Sequence, residues 1–326
     1  MPQPSIAYAV GRVRAAARRP LGDAQLERLL SAASYEEALN MLTEMGWPDS
    51  ADQDVEQLSI RMLEGIAKLL KDVSPDEELL SIFLLRHDAQ NLKSLLKARI
   101  LGVKPENLSK SGMLDLDTLV HAVNEHKYHK LIPEFRAVME TLEQKTALQV
   151  NPMKIDVLID QALYGLIAKK LKNIKNKAAK TYFATKVDFL NAIALLRLQN
   201  IADDKVRFMD LLLPGGTISS KQWAAIQEKP HSLLKAFNGY PVKLQVALNK
   251  AIHDQKAIPA LEKAVDDSLI ALYRDSRNEP FSVDVLVGWL LAHEREAGAV
   301  RLIIAGKLNG FPQELIRERL REAYGR

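Results

Sequence analysis

Asp88-x-x-Asn91-x-x-x-Leu95-Leu96-Lys97 returns as Asp188-x-x-Asn191-x-x-x-Leu195-Leu196-Arg197, every matched residue 100 positions further on. Intervals of three, four and seven set the acid, the amide and the leucines along one side of a helix, so the two stretches read as one helical unit copied whole. The copy extends past the helix. Ser111-Gly112-Met113-Leu114 and its amphipathic sequel resemble Gly215-Gly216-Thr217-Ile218 and the stretch after it, now at an offset of 104. A looser third copy, Glu296-x-x-Ala299-Val300-Arg301-x-Ile303-Ile304, carries alanine where the others carry asparagine, and Tyr8 to Arg14 reads as a fragment of the same helix. The expected fold is all-α: three pseudo-symmetric helical repeats forming a funnel-like body. The repeats are placed at 1–75 closed with 281–326, at 76–180 and at 181–280.

Local punctuation agrees with helix throughout. Ser34-Tyr35-Glu36-Glu37 and Ser74-Pro75-Asp76-Glu77 have the spacing of a capping box, the second with proline at the first helical position. From Pro75 the pattern predicts a long amphipathic helix, with Leu92, Leu95, Leu96 and Ile100 on one stripe and a left-handed stop at Gly102. Similar patterns predict helices over 54–72, 131–147, 153–177, 180–201, 256–275 and 283–308, and no stretch alternates as a strand does.

Composition narrows the function classes. The 326 residues are 47% hydrophobic and 26% charged, a globular balance, and the 45 basic against 41 acidic side chains leave a net charge of only +4. Without cysteine there is no disulfide, thiolate zinc site, iron–sulfur cluster or thiol nucleophile. The longest apolar run, Val285 to Ala292, is far short of the ~20 residues of a membrane-spanning helix, and the N-terminus has no secretory h-region.

A catalytic constellation is not found. Neither a P-loop nor a dinucleotide-binding glycine motif is present, and Gly215-Gly216 after Pro214 reads as a turn. His293-Glu294-Arg295-Glu296-Ala297 starts like a zinc metalloprotease helix, but alanine stands where the second histidine would lie. His121, His126 and His129 beside Glu125 are a weak metal candidate, outweighed by solvated polar residues near a helix end. For Asp88 and Asp188, packing or loop capping competes with contact to a partner. Two basic features remain: Arg12, Arg14, Arg18 and Arg19, and the run Lys169, Lys170, Lys172, Lys175, Lys177 and Lys180. The run suits phosphates, acidic protein or anionic headgroups, with a solvated face as the plain alternative, and it lacks interleaved aromatics for base stacking.

Leu85-Arg86-His87-Asp88-Ala89-Gln90-Asn91-Leu92-Lys93-Ser94-Leu95-Leu96-Lys97-Ala98 resembles the aspartate/asparagine-leucine-lysine helix of the C subunits of archaeal and bacterial V-type (A-type) ATPases, relatives of the eukaryotic V-ATPase d subunit. Gly288 to Glu296 with Arg301 to Gly310 resembles the family more specifically, and Tyr8 to Arg14 resembles its tyrosine- and arginine-rich opening. Ala299 in the last repeat and Gly11 in the first helix depart from the family pattern. The resemblance implies a non-catalytic central-stalk rotor subunit with no cofactor and no metal. It would be a socket on the cytoplasmic face of the proteolipid ring, peripheral to the membrane, holding the axle of the D and F subunits during H⁺ or Na⁺ transport. Carried onto matched positions, the candidate partner-contact residues are Arg12, Arg14, Asp88, Asn91, Lys93, Asp188, Asn191, Glu296 and Arg301. Reversing Arg12 with Arg14 is expected to weaken assembly more than reversing Lys175 with Lys177. The alternatives are a helical nucleic-acid-binding protein using the lysine run, or an enzyme with an unrecognised all-α site. The resemblance itself implies no nucleic-acid partner.

Overall fold

The computed structural model describes residues 4–16, 19–48, 54–146, 152–199 and 207–324. Arg18 and the predicted helix ends at 147 and 201 lie outside them. The described residues are helical and contain no strand: α1 (Ile6–Arg14), α2 (Asp23–Ser31), α3 (Tyr35–Glu44), α4 (Val55–Val73), α5 (Glu77–Leu101), α6 (Leu116–Asn124), α7 (Pro133–Thr146), α8 (Pro152–Leu171), α9 (Lys177–Leu198), α10 (Phe208–Leu211), α11 (Ser220–Glu228), α12 (Leu233–Ala236), α13 (Val242–His253), α14 (Ile258–Arg274), α15 (Asp284–Leu308) and α16 (Gln313–Arg319). Among the described residues no helix is long and apolar enough to cross a membrane.

Helix starts follow the caps, with three adjustments. Ser34 caps α3 by accepting from the Glu37 amide, while the Glu37 carboxylate reaches back one residue further than a strict box, to the Ala33 amide at 2.6 Å. α5 begins at Glu77 rather than Pro75, because Asp76 takes the cap by accepting from the Leu79 amide at 2.8 Å. Ser74 instead ends α4, its hydroxyl donating to the Asp76 carbonyl. The predicted 153–177 helix is broken after Leu171, because Asn176 accepts from the Ala179 amide at 2.8 Å and starts α9. Gly102 closes α5 in the left-handed conformation, φ 66°.

The first turns of α5 are not amphipathic. Leu79, Leu80, Ser81, Ile82, Phe83, Leu84 and Leu85 are all buried, so this end of the helix is enclosed on every side, and only the later turns keep a polar face.

The chain divides into two compact units, Met1–Ile132 with Tyr273–Arg326, and Pro133–Leu272. In the first, α15 runs against α4, α1, α2 and α3, and Val300, Ile303 and Ile304 of α15 share a core with Leu26, Leu29, Leu30, Leu42, Trp47 and Leu58. In the second, α7 packs on α8, and Phe189, Phe208, Trp223, Phe237 and Tyr240 form a chain of tilted and edge-on rings 4.8–6.2 Å apart.

Candidate functional site

The repeated acid and amide each hold a distant loop against a long helix. Asp88 of α5 is fully buried and accepts from the amides of Met113 (2.7 Å) and Leu114 (3.0 Å). One turn on, the Asn91 side chain donates to the Ser109 carbonyl (2.7 Å) and accepts from the Ser109 amide (3.0 Å). An asparagine amide is suited to this position because it pairs with both the N–H and the C=O of one residue, giving and receiving at once; a carboxylate only accepts.

Asp188 and Asn191 of α9 repeat the arrangement within the other unit. Asp188 accepts from the amides of Thr217 (2.7 Å) and Ile218 (3.3 Å), from the Thr217 hydroxyl (2.6 Å), and from the Tyr240 hydroxyl. The Asn191 side chain donates to the Leu213 carbonyl (3.0 Å) and accepts from the Leu213 amide (2.9 Å). Gly112 and Gly216 lie where the loops pass over the carboxylates, and a Cβ on either would overlap a carboxylate oxygen. Gly215, with φ +103°, completes the turn read from the sequence. The amide tie spans 18 residues in the first copy and 22 in the second, so the change of offset from 100 to 104 is taken up between helix and tie.

In the third copy Glu296 of α15, also buried, accepts from Trp47 Nε1 at 2.8 Å. Trp47 reaches it because Gly46, at φ 83°, ends α3 in a left-handed turn closed by the Trp47 amide on the Leu42 carbonyl. Ala299 offers no amide, and this copy keeps the acidic tie alone. Nothing in the spacing pointed to Trp47 or Tyr240, since the partners are 249 and 52 residues from their acids.

Around Asp88 lies a charged cluster that sequence reading missed. Lys71 of α4 donates to the Gly112 carbonyl, on the loop that Asp88 holds. Glu294 of α15 pairs with Arg86 and faces His87 Nε2 at 3.4 Å. Burial pushes the His87 imidazole down to about 3, with Arg86 and Lys71 adding to the effect, so it is neutral at pH 7. Burial raises the Asp88 carboxyl to about 6 against the two backbone amides and Lys71, which favour its charge. Burial also lowers the Lys71 ammonium, with Asp88 opposing. On Asp188 the Tyr240 hydroxyl is held protonated, first by burial and then by its bond to the carboxylate.

The adjacent pair acts in opposite senses on stability. A histidine whose folded value is depressed costs stability as pH falls from about 6.5 towards 3, because the unfolded chain takes the proton first. An acid whose folded value is raised gains stability as pH falls from about 6 towards 4. Chemical denaturation at a series of pH values is expected to show His87→Gln gaining on the wild type as pH falls through that window. Asp88→Asn is expected to gain as pH rises through it. Parallel curves for the three proteins would contradict both assignments.

The remaining candidates fall at or near the surface. Arg12 is exposed; Arg14 donates to the carbonyls of Arg277 (3.0 Å) and Glu279 (3.3 Å), which ties α1 to the segment before α15. Arg301 pairs with Glu56 of α4 at 3.1 Å, and Lys93 is half-buried. His121 pairs with Glu125 one turn away, His126 Nδ1 lies 3.2 Å from Arg99, and no group of three potential ligands converges among the described residues. His293 is buried, with Nδ1 2.9 Å from the Trp289 carbonyl of its own helix.

The sites therefore fix loops onto helices. Residues 9–319 match the family model described as ATP synthase (C/AC39) subunit. The V-type sodium ATPase C subunit of Enterococcus hirae is 25% identical over 290 residues, covering 85% of this chain and 84% of that relative. The A-type ATP synthase C subunit of Methanococcoides burtonii is 22% identical, over 92% and 86% of the two chains. The V-type ATP synthase C subunit of Thermus thermophilus is 23% identical, over 96% and 97%. With a match that takes in α15 as well as α5 and α9, the chain belongs to the ATP synthase (C/AC39) subunit family, as a structural component of a rotary V/A-type ATPase and not an enzyme.

Proposed function

We propose that the chain is the coupling socket of the central rotor: it receives the axle of the D and F subunits and rests on the cytoplasmic face of the proteolipid ring. Torque then passes between axle and ring as H⁺ or Na⁺ crosses the membrane. The observation that carries this reading is the family match along nearly the whole chain. The loop ties support it physically, since a part that transmits torque must resist shear, and a carboxylate bound to several buried donors resists loop displacement. The three-repeat organisation belongs to the same proposal, with Asp88, Asp188 and Glu296 as its common element.

Among the candidate contact residues, the buried Asp88, Asn91, Asp188, Asn191 and Glu296 serve partners indirectly, by holding loops in place. Direct contact falls to Arg12, Lys93 and Arg301. Arg14 is best left out of any assembly test, because reversing it would break its bonds to Arg277 and Glu279. Co-expression with the D and F subunits of the same organism, followed by sizing chromatography at physiological salt, is expected to give a stoichiometric complex. Arg12→Glu is expected to weaken that complex while Lys175→Glu with Lys177→Glu leaves it intact. If the folded chain is captured by neither the axle nor the ring, the socket reading fails.

A further inference from the structure

Between Asp160 and Asp188 the sequence holds seven lysines and no acidic residue. The turn from α8 to α9 gathers most of them at one corner of the second unit. Lys169 pairs with Glu134 at 3.0 Å, whereas Lys172, Lys175, Lys177 and Lys180 are all exposed. Leu171, Ile174 and Ala179 anchor the corner by burying inward, so its outer face is left almost wholly to ammonium groups.

The arrangement opposes the local electrostatics. Lys177 and Lys180 stand in the first turn of α9, where the helix end already carries partial positive charge, no acid is present to offset it, and the cap is the neutral Asn176. Two lysines at the positive end of α9, with Lys172 and Lys175 close by in the turn that leads to it, repel one another in the isolated chain and become favourable against an external array of negative charge.

Two features specify the array. The nearby aromatics, Tyr182 and Phe183, are buried, so no ring is offered for base stacking. The corner holds no arginine, and so lacks the rigid fork that reads individual phosphates or carboxylates; ammonium groups on flexible stems suit a diffuse, laterally mobile surface of charge. We propose that the α8–α9 corner is a contact surface for anionic phospholipid headgroups. The proposal rests on the reading of the chain as a rotor part at a membrane face, and adds that it touches the lipid directly as well as its protein partners.

The test is co-sedimentation of the purified full chain with vesicles of phosphatidylcholine alone, and of phosphatidylcholine containing phosphatidylglycerol. Binding is expected only to the second. The fourfold variant K172Q/K175Q/K177Q/K180Q is expected to lose about a hundredfold or more in partitioning, at about fivefold per lysine. A control that removes the same charge from exposed lysines elsewhere in the unit, K221Q/K229Q/K235Q/K243Q, is expected to lose far less. Equal losses in the two variants would reduce the effect to net charge and overturn the proposal, as would absence of wild-type binding at low salt. Full displacement by single-stranded RNA at matched phosphate concentration would overturn it too, identifying a nucleic-acid surface instead. Axle capture in detergent separates the two readings. Loss of capture with vesicle binding retained sinks the socket, and the reverse sinks the lipid contact.

Discussion

Asp188→Ala is expected to destabilise the second unit by about 3–5 kcal/mol, because it strands several donors at once around a carboxylate that is itself fully buried. The amides of Thr217 and Ile218 and the Tyr240 hydroxyl all give to this carboxylate. Each buried donor left unmade costs about 1–3 kcal/mol before relaxation or an admitted water recovers part of it. Tyr240 cannot escape by ionising, since its burial opposes the charged form. Asp188→Asn keeps one acceptor oxygen but turns its NH₂ towards a group that is itself a donor, so it should fall between wild type and alanine. Urea denaturation gives the magnitude and amide hydrogen exchange the location. Thr217 and Ile218 should lose protection while Met113 and Leu114, held by Asp88 in the other unit, keep theirs. A loss below about 1 kcal/mol would mean that the loop is secured by something other than the carboxylate.

Gly112→Ala is expected to cost about 2–4 kcal/mol, although it adds a single methyl group. The new Cβ would overlap Asp88 Oδ1 and press on its carboxyl carbon. Either the loop lifts, breaking the Met113 and Leu114 bonds and the Lys71 contact, or the short aspartate side chain rotates and leaves the same amides unpaired. Gly298→Ala is the control. Gly298 lies within α15, and nothing stands within 4 Å of where its Cβ would be. There the same methyl should stabilise slightly, by about 0.5–1 kcal/mol, by removing backbone freedom from the unfolded chain. Thermal unfolding of both proteins reads the contrast, and equal shifts would contradict the close approach at Gly112.

What the sequence made legible was whatever is written at short range. Asp and Asn three apart, repeated 100 residues later, gave the long helices and singled out the residues that hold the loops. The paired Gly-x-x segments marked the loops themselves. Helix ends were read less well where two capping residues compete within three positions, as Ser74 and Asp76 do, or where an asparagine starts a new helix inside a lysine-rich stretch, as Asn176 does. The role of the acids stayed open between loop capping and partner contact, because burial depends on what returns from far along the chain. The Lys71, Arg86, His87 and Glu294 cluster was illegible for the same reason: its members come from three helices, and no spacing within any one of them signals the meeting.

The core that α15 shares with α2 and α3 sets an order on synthesis. Leu26, Leu29, Leu30 and Leu42 leave the ribosome early, yet the core that buries them is completed by Val300, Ile303 and Ile304 near the far end of the chain. The unit made of residues 133–272 is contiguous and can close as soon as it emerges, whereas the unit holding both termini waits for nearly the last helix. For most of its translation the nascent protein therefore carries an N-terminal apolar surface without the cover that α15 supplies in the folded unit.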